Sequence, residues 1–185
     1  MPYDWLVLAL GSSADPRGVP GVREHAVPFN NLDDALRVRG ALEEIEGAAQ
    51  SGWTSTGPDA RPLTVMVVGA GYAGVELAAV VAERLRNNAG GAVRVQVVTP
   101  SAGILPGSPP GQREAAERTL GSLGVETLAG TRVLSLERSS EPGTLSTSVV
   151  AQLSTSAPEG SDAGATTVTC GADLVLWTAG SAPAT

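Results

Sequence analysis

The stretch Leu63-Thr64-Val65-Met66-Val67-Val68-Gly69-Ala70-Gly71-Tyr72-Ala73-Gly74-Val75-Glu76 decides the fold. An apolar strand pattern runs into a glycine-rich turn, and the turn runs into a helix pattern. Gly69, Gly71 and Gly74 carry the G-x-G-x-x-G spacing. In such a turn the first glycine allows a tight reversal. The second lets main chain approach a pyrophosphate, and the third lets the helix lie close on the strand. The main chain through Ala70, Tyr72 and Ala73 would then face phosphates, with the positive end of the helix dipole behind it. The spacing alone is a weak signal. Here it has the strand before it, the helix after it and a second apolar strand at Val93–Val98, the context the motif requires. The expectation is a dinucleotide site; the alternative is a glycine-rich packing turn with no ligand.

The end of that second strand is the next checkpoint. An acidic side chain about 20 residues on usually accepts hydrogen bonds from the adenosine ribose. Thr99-Pro100-Ser101 stands there instead. A carboxylate would repel a 2′-phosphate, whereas the hydroxyls of Thr99 and Ser101 could donate to one. No arginine follows immediately to clamp it. The expectation is relaxed selectivity, with NADPH accepted at least as well as NADH. The alternative is that Thr99 and Ser101 only cap a turn. Glu76, read as lying in the first turn of the helix, is explained by the dipole alone; a functional Glu76 would point toward the reactive end of the cofactor.

Around this βαβ unit (helix Tyr72 to about Arg86, ended by Asn87–Gly91) the pattern continues. Trp5 to Leu10 reads as a short buried strand, Asp15 to Pro28 as a connection, and Leu32 to Ala49 as a helix with Asn31 as N-cap. Asp33 and Asp34 sit in its favourable first turn, and Leu32, Leu36, Val38 or Arg39, Leu42 and Ile45 recur near helical spacing. Gln50 to Pro62 reads as a loop. A second helix is expected over Gly111–Leu123, and strands at Val125–Leu128, Thr131–Glu137, Leu145–Leu153, Thr166–Thr169 and Asp173–Trp177. The connection APEGSDAGA is of low complexity. The fold expected is α/β: a Rossmann-like three-layer domain with a central parallel sheet, flanking helices and an antiparallel β-meander.

Composition narrows the chemistry. The formal net charge is −7 over 185 residues, which disfavours nucleic acid as a partner. Every basic side chain is arginine, so lysine Schiff bases, Walker-type phosphate binding and Tyr-x-x-x-Lys chemistry are excluded within the chain. A single cysteine, Cys170, and a single histidine, His25, rule out an intrachain disulfide, a Cys-based metal cluster and a His-based metal site. Cys170 reads as a buried structural thiol near a strand edge, and His25 as a surface residue. No apolar run reaches the ~18–20 residues of a membrane span, and no targeting signal is visible.

Taken in order, YDWLVLALGS, PF-x-x-LDDAL, VVGAGYAGVELA, VVTPSAGILP, GVETLAGTRV and ADLVLWTAGSAP resemble the middle part of two-dinucleotide-domain flavoproteins of the pyridine nucleotide-disulfide oxidoreductase type. In particular they resemble type II NAD(P)H:quinone oxidoreductases. GYAGVELAAVVAERL and the segment from Gly111 through Arg113 to Ala116 look like the C1-type alternative NAD(P)H dehydrogenases of plants and cyanobacteria. The resemblance implies that Gly69, Gly71 and Gly74 cradle the NAD(P)H pyrophosphate and that Thr99 takes the ribose-selecting place. It further implies that Glu76 faces the nicotinamide–flavin junction and that Ala179 and Gly180 lie near the nicotinamide carboxamide. The parent protein would carry FAD and pass electrons to a quinone. This chain is not expected to hold the flavin, because the resemblance finds neither an FAD fingerprint nor the membrane-contacting and quinone-contacting elements in it.

Residues 1–28 are accordingly read as the closing strand of a flavin domain plus a linker, 29–178 as the NAD(P)H-binding domain, and 179–185 as the start of the crossover back. The isolated chain would be soluble, bind nucleotide without turnover, and possess a surface for the absent flavin domain or for a second copy. The parent would sit in a plastid or mitochondrion, or at a cyanobacterial-type membrane periphery. Two other readings stay open at this point: a non-catalytic NAD(P)H-sensing module, and the same domain of a ferredoxin or disulfide reductase.

Overall fold

The computed structural model describes residues 2–7, 9–53, 61–140, 144–156 and 165–183. Four helices and ten strands succeed one another along the described chain. β1 (Ser12–Ala14), α1 (Val22–His25), β2 (Val27–Pro28) and α2 (Leu32–Gln50) precede the motif. β3 (Leu63–Val68), α3 (Tyr72–Ala89) and β4 (Val93–Val98) form the βαβ unit. α4 (Pro110–Ser122) and β5 (Val125–Leu128) follow, then β6 (Thr131–Arg138), β7 (Val149–Thr155), β8 (Thr166–Ala172), β9 (Leu174–Trp177) and β10 (Ser181–Pro183).

β2, β9, β3, β4 and β5 lie side by side in that order, and every neighbouring pair is parallel. Parallel strands are covered on both faces, and β3 is buried at every position, which is why its sequence is almost wholly apolar. Its alternation assigns residues to faces. Val65 and Val67 meet α2 and α3 through Val38, Leu42, Ile45, Ala78, Val81 and Leu85. Met66 and Val68 meet the antiparallel sheet β6-β7-β8 through Val133, Leu136, Ala151 and Leu153. The result is the expected three-layer α/β arrangement, with helices on one face and a meander on the other.

Helix boundaries follow local chemistry. The Asn31 side chain accepts from the Asp34 amide at 2.9 Å and caps α2. α3 ends at Gly90, whose left-handed φ of 59° suits glycine. α4 opens with proline in its first turn. α2 and α3 are stapled by Glu46, which takes Arg84 at 2.6 and 3.0 Å and Asn88 at 3.0 Å. The Arg84 guanidinium holds the Glu46 carboxyl below the usual carboxylate range, and the same contact raises Arg84.

Several expectations need correction. No strand occurs over Trp5–Leu10 among the described residues; Trp5 is 91% exposed and Val7 85%. Among the described residues, no element covers that apolar run. Pairing starts at Ser12, where β10 offers its edge. Leu32 and Leu36 face solvent, and α2 buries Asp34, Val38, Ala41, Leu42, Ile45 and Glu46 instead. The connection 15–28 contains α1 and the parallel edge strand β2. Leu145–Ser148 is a turn closed by Ser148 N–H to Leu145 O at 3.0 Å, so the strand begins at Val149. β8 continues past Thr169 to Ala172, and β9 starts after Asp173. Cys170 is half-buried rather than buried, and burial pushes its thiol up. His25 is half-buried in α1. Most of the APEGSDAGA connection (157–164) and of the Gln50–Pro62 loop (54–60) lies outside the described residues.

Candidate functional site

The glycine turn is built by three different glycine environments. Gly69 has φ 110°, and a Cβ there would stand 2.7 Å from Thr178 Oγ1 and 2.9 Å from the Ala179 nitrogen. Gly69 donates to Val98 O at 2.9 Å, while Thr178 donates its amide to Val68 O at 2.9 Å. The turn is thereby tied to β4 on one side and to the end of β9 on the other. A Cβ on Gly74 would overlap the Gly69 carbonyl, so the third glycine sets the closeness of α3 to the turn. Gly71 is different. It has an ordinary φ of −75° as N-cap of α3, and nothing lies within 4 Å of where its Cβ would be. No side chain caps this helix start, and Gly71, Tyr72 and Ala73 are exposed. The corner is open to a ligand.

The surroundings of the turn are braced. Ala70 is buried, and its carbonyl accepts from Leu105 N–H at 2.8 Å. The Tyr72 hydroxyl meets Ser108 Oγ at 2.7 Å and donates to Gln112 Oε1 at 3.3 Å. The hydroxyl is thereby held at the start of α4.

Beside the turn lies a cavity of about 300 Å³ over the C-terminal ends of β3, β4 and β9. Of the sequence-derived site residues, Gly69, Pro100, Ala179 and Gly180 line it. Thr99 is 3% exposed, and its Oγ1 accepts from the Ser101 amide at 3.3 Å; the hydroxyl is engaged in the turn, while Ser101 is half-buried. Glu76 lies beyond the first turn of α3, which carries no acidic residue, and is exposed. It is not among the lining residues of the cavity. The structure thus brings the glycine turn, the β4 end and the β9 end together, with Glu76 apart on the helix.

Both charged residues of the cavity lining, Arg17 and Arg132, escaped the sequence reading. Arg17 has φ 54°, and its guanidinium lies over Gly180. Arg132 follows Thr131, whose amide donates to Thr99 O at 2.8 Å. The one local signal was an arginine within the otherwise uncharged start of β6, Thr131 to Leu136; nothing local revealed that it borders the β4 end. No group of three or more His, Cys, Asp or Glu side chains suited to a metal occurs among the described residues, and no described helix is long and apolar enough to cross a membrane.

The family profile described as pyridine nucleotide-disulphide oxidoreductase matches residues 1–185. The chain belongs to this family. Within it, the chain matches the type II NAD(P)H:quinone oxidoreductases. This family member is 44% identical over 138 residues to the alternative NAD(P)H-ubiquinone oxidoreductase C1, chloroplastic/mitochondrial, of Arabidopsis thaliana, covering 75% of the chain and 24% of that protein. It is 30% identical over 125 residues to the demethylphylloquinone reductase NdbB of Synechocystis, covering 68% of the chain and 28% of that protein. The chain therefore spans about a quarter of the length of these relatives. Its fold superimposes on the NDH2 of Plasmodium falciparum, solved in complex with NADH, with a TM-score of 0.74 at 19% identity, over 100% of this chain and 36% of that one.

Proposed function

We propose that residues 29–178 form the NAD(P)H-binding domain of an FAD-dependent NAD(P)H:quinone oxidoreductase, with 1–28 and 179–185 connecting to the flavin side. The observation that carries this reading is the open main-chain corner at Gly71, with nothing within 4 Å of where its Cβ would be, in a turn whose first glycine, Gly69, lines the cavity over the sheet ends. The residues fit a dinucleotide. Gly69 and Gly74 stand where a Cβ would collide, which fixes the turn, and Gly71 leaves the approach clear. Gly69, Ala70, Gly71, Tyr72, Ala73 and Gly74 would hold the pyrophosphate at the start of α3. Pro100 and Ser101 would border the adenosine, with Thr99 bracing their turn, and Ala179 and Gly180 would line the far wall. Glu76, exposed further along α3, would face the nicotinamide–flavin junction.

Bound NAD(P)H supplies a hydride, which in such flavoproteins goes to FAD and onward as electrons to a quinone. The part of this chain is to bind, orient and shield; no side chain at the site is required as a proton donor. The names of the relatives support plastid, mitochondrial or cyanobacterial settings for the parent. Calorimetric titration of the 185-residue chain with NADH, NADPH and FAD in parallel tests the reading. Saturable binding of a reduced pyridine nucleotide and none of FAD is expected. An empty titration with both nucleotides at saturating concentration would overturn it.

A further inference from the structure

On the premise that the Gly69–Gly74 turn holds a dinucleotide, we infer that Arg132 is the side chain that reads the 2′-phosphate and gives the site its preference for NADPH. The β4 end supplies neither of the usual selectors. It has no carboxylate to accept from the ribose, and the Thr99 hydroxyl is buried and engaged with the Ser101 amide. The missing cation arrives from another layer. The β5–β6 reversal is laced to residues 99–101 by three main-chain hydrogen bonds: Thr99 N–H to Leu128 O at 3.1 Å, Gly130 N–H to Ser101 O at 2.9 Å and Thr131 N–H to Thr99 O at 2.8 Å. Arg132 is the next residue, so its Cα is fixed relative to the β4 end by paired backbone.

Arg132 is exposed and borders the cavity together with Pro100 and Gly69. Among the described residues, no carboxylate pairs with it. The cavity lining includes two arginines and no Asp or Glu, on a chain whose net charge is −7. A local reversal of sign at the mouth of a nucleotide site favours the more anionic ligand. A guanidinium matches a phosphate monoester with two parallel N–H donors, whereas NADH offers a neutral hydroxyl at that point. Arg17 is the weaker candidate. It lies over Gly180 beyond β9, across the cavity from the β4 end where the ribose of a dinucleotide sits.

The experiment is titration of the 185-residue chain and its Arg132→Ala, Arg132→Lys and Arg17→Ala variants with NADPH and with NADH. Arg132→Ala is expected to weaken NADPH about tenfold while NADH changes less than about twofold. Arg132→Lys should restore part of the loss, since it keeps charge but not the planar fork. Raising salt should shrink the NADPH-to-NADH preference of the unaltered chain. Equal losses for both nucleotides, no loss, or discrimination that follows Arg17 would overturn the assignment while leaving the dinucleotide site intact. If Arg132→Ala does not fold, the lysine variant and the salt series decide. Absence of binding of either nucleotide to the unaltered chain would remove the site itself and the assignment with it.

Discussion

The two ends of the parallel sheet use arginine in opposite ways. At the end where β3 begins, Arg61 reaches Asp173 at 2.6 and 3.0 Å. Asp173 is 0% exposed, and it also takes the Thr64 amide at 2.8 Å and Ser148 Oγ at 2.9 Å. Arg94 at the same end lies 3.4 Å from Glu126. At the end where β3 finishes, Arg17 and Arg132 line a cavity that has no carboxylate. The cavity at the first end is larger, about 480 Å³ against about 300 Å³, yet its arginines are committed to internal partners. The two ends thus differ less in cavity size than in whether their arginines are paired. Arg61 also favours the thiolate of the half-buried Cys170, but burial outweighs it and raises the thiol.

Removing the internal partner at the first end should have the largest effect. Asp173→Ala removes the carboxylate shared by Arg61, the Thr64 amide and Ser148 Oγ. A loss of about 3–5 kcal/mol is expected, read as a lower urea midpoint; a loss under about 1 kcal/mol would mean that this pair is not structural. Next in size is a contrast within the glycine turn. Gly74→Ala forces a methyl group into the Gly69 carbonyl and should cost about 2–3 kcal/mol. Gly71→Ala meets no protein atom and should leave stability within about 0.5 kcal/mol, while weakening nucleotide at least about tenfold by blocking main-chain approach. Equal thermal shifts in the two variants would erase the distinction between a packing glycine and a ligand-facing one.

The smallest expected effect lies away from both sheet ends, at the α2–α3 staple. The folded carboxyl of Glu46 is depressed by Arg84. Its stabilisation is therefore complete above the unfolded carboxylate value and is lost as pH falls through the lower folded value. Glu46→Gln should cost about 1 kcal/mol at neutral pH, with the two melting curves converging in acid. A pH-independent gap between them would assign the effect to packing.

What could be read from the sequence was local. The strand at 63–68, its turn and the strand at 93–98 were legible because strand, turn and helix signals are contiguous there. The structure matches both strands residue for residue and carries the helix on to Ala89. What could not be read was made by distant residues. Asp173 and Arg61 stand 112 positions apart, so DLVLW looked like plain strand. Arg132 reaches the β4 end only through cross-layer backbone pairing. Trp5 to Leu10 has the composition of a buried strand, but burial needs a neighbour, and none of the described residues supplies one. The leucines at 32 and 36 followed helical spacing, yet α2 turns Asp34 inward, where its carboxylate accepts from the Asn30 amide at 3.0 Å.

β1 and β10 pair in opposite directions, Ser12 with Pro183 and Ala14 with Ser181. That short ribbon closes the intervening polypeptide into a ring held by hydrogen bonds. Tension applied to its two strands would shear the ribbon before it reached the glycine turn. A unit closed in this way can be carried as a cassette inside a longer chain, entering and leaving its host at one spot without rerouting the sheet.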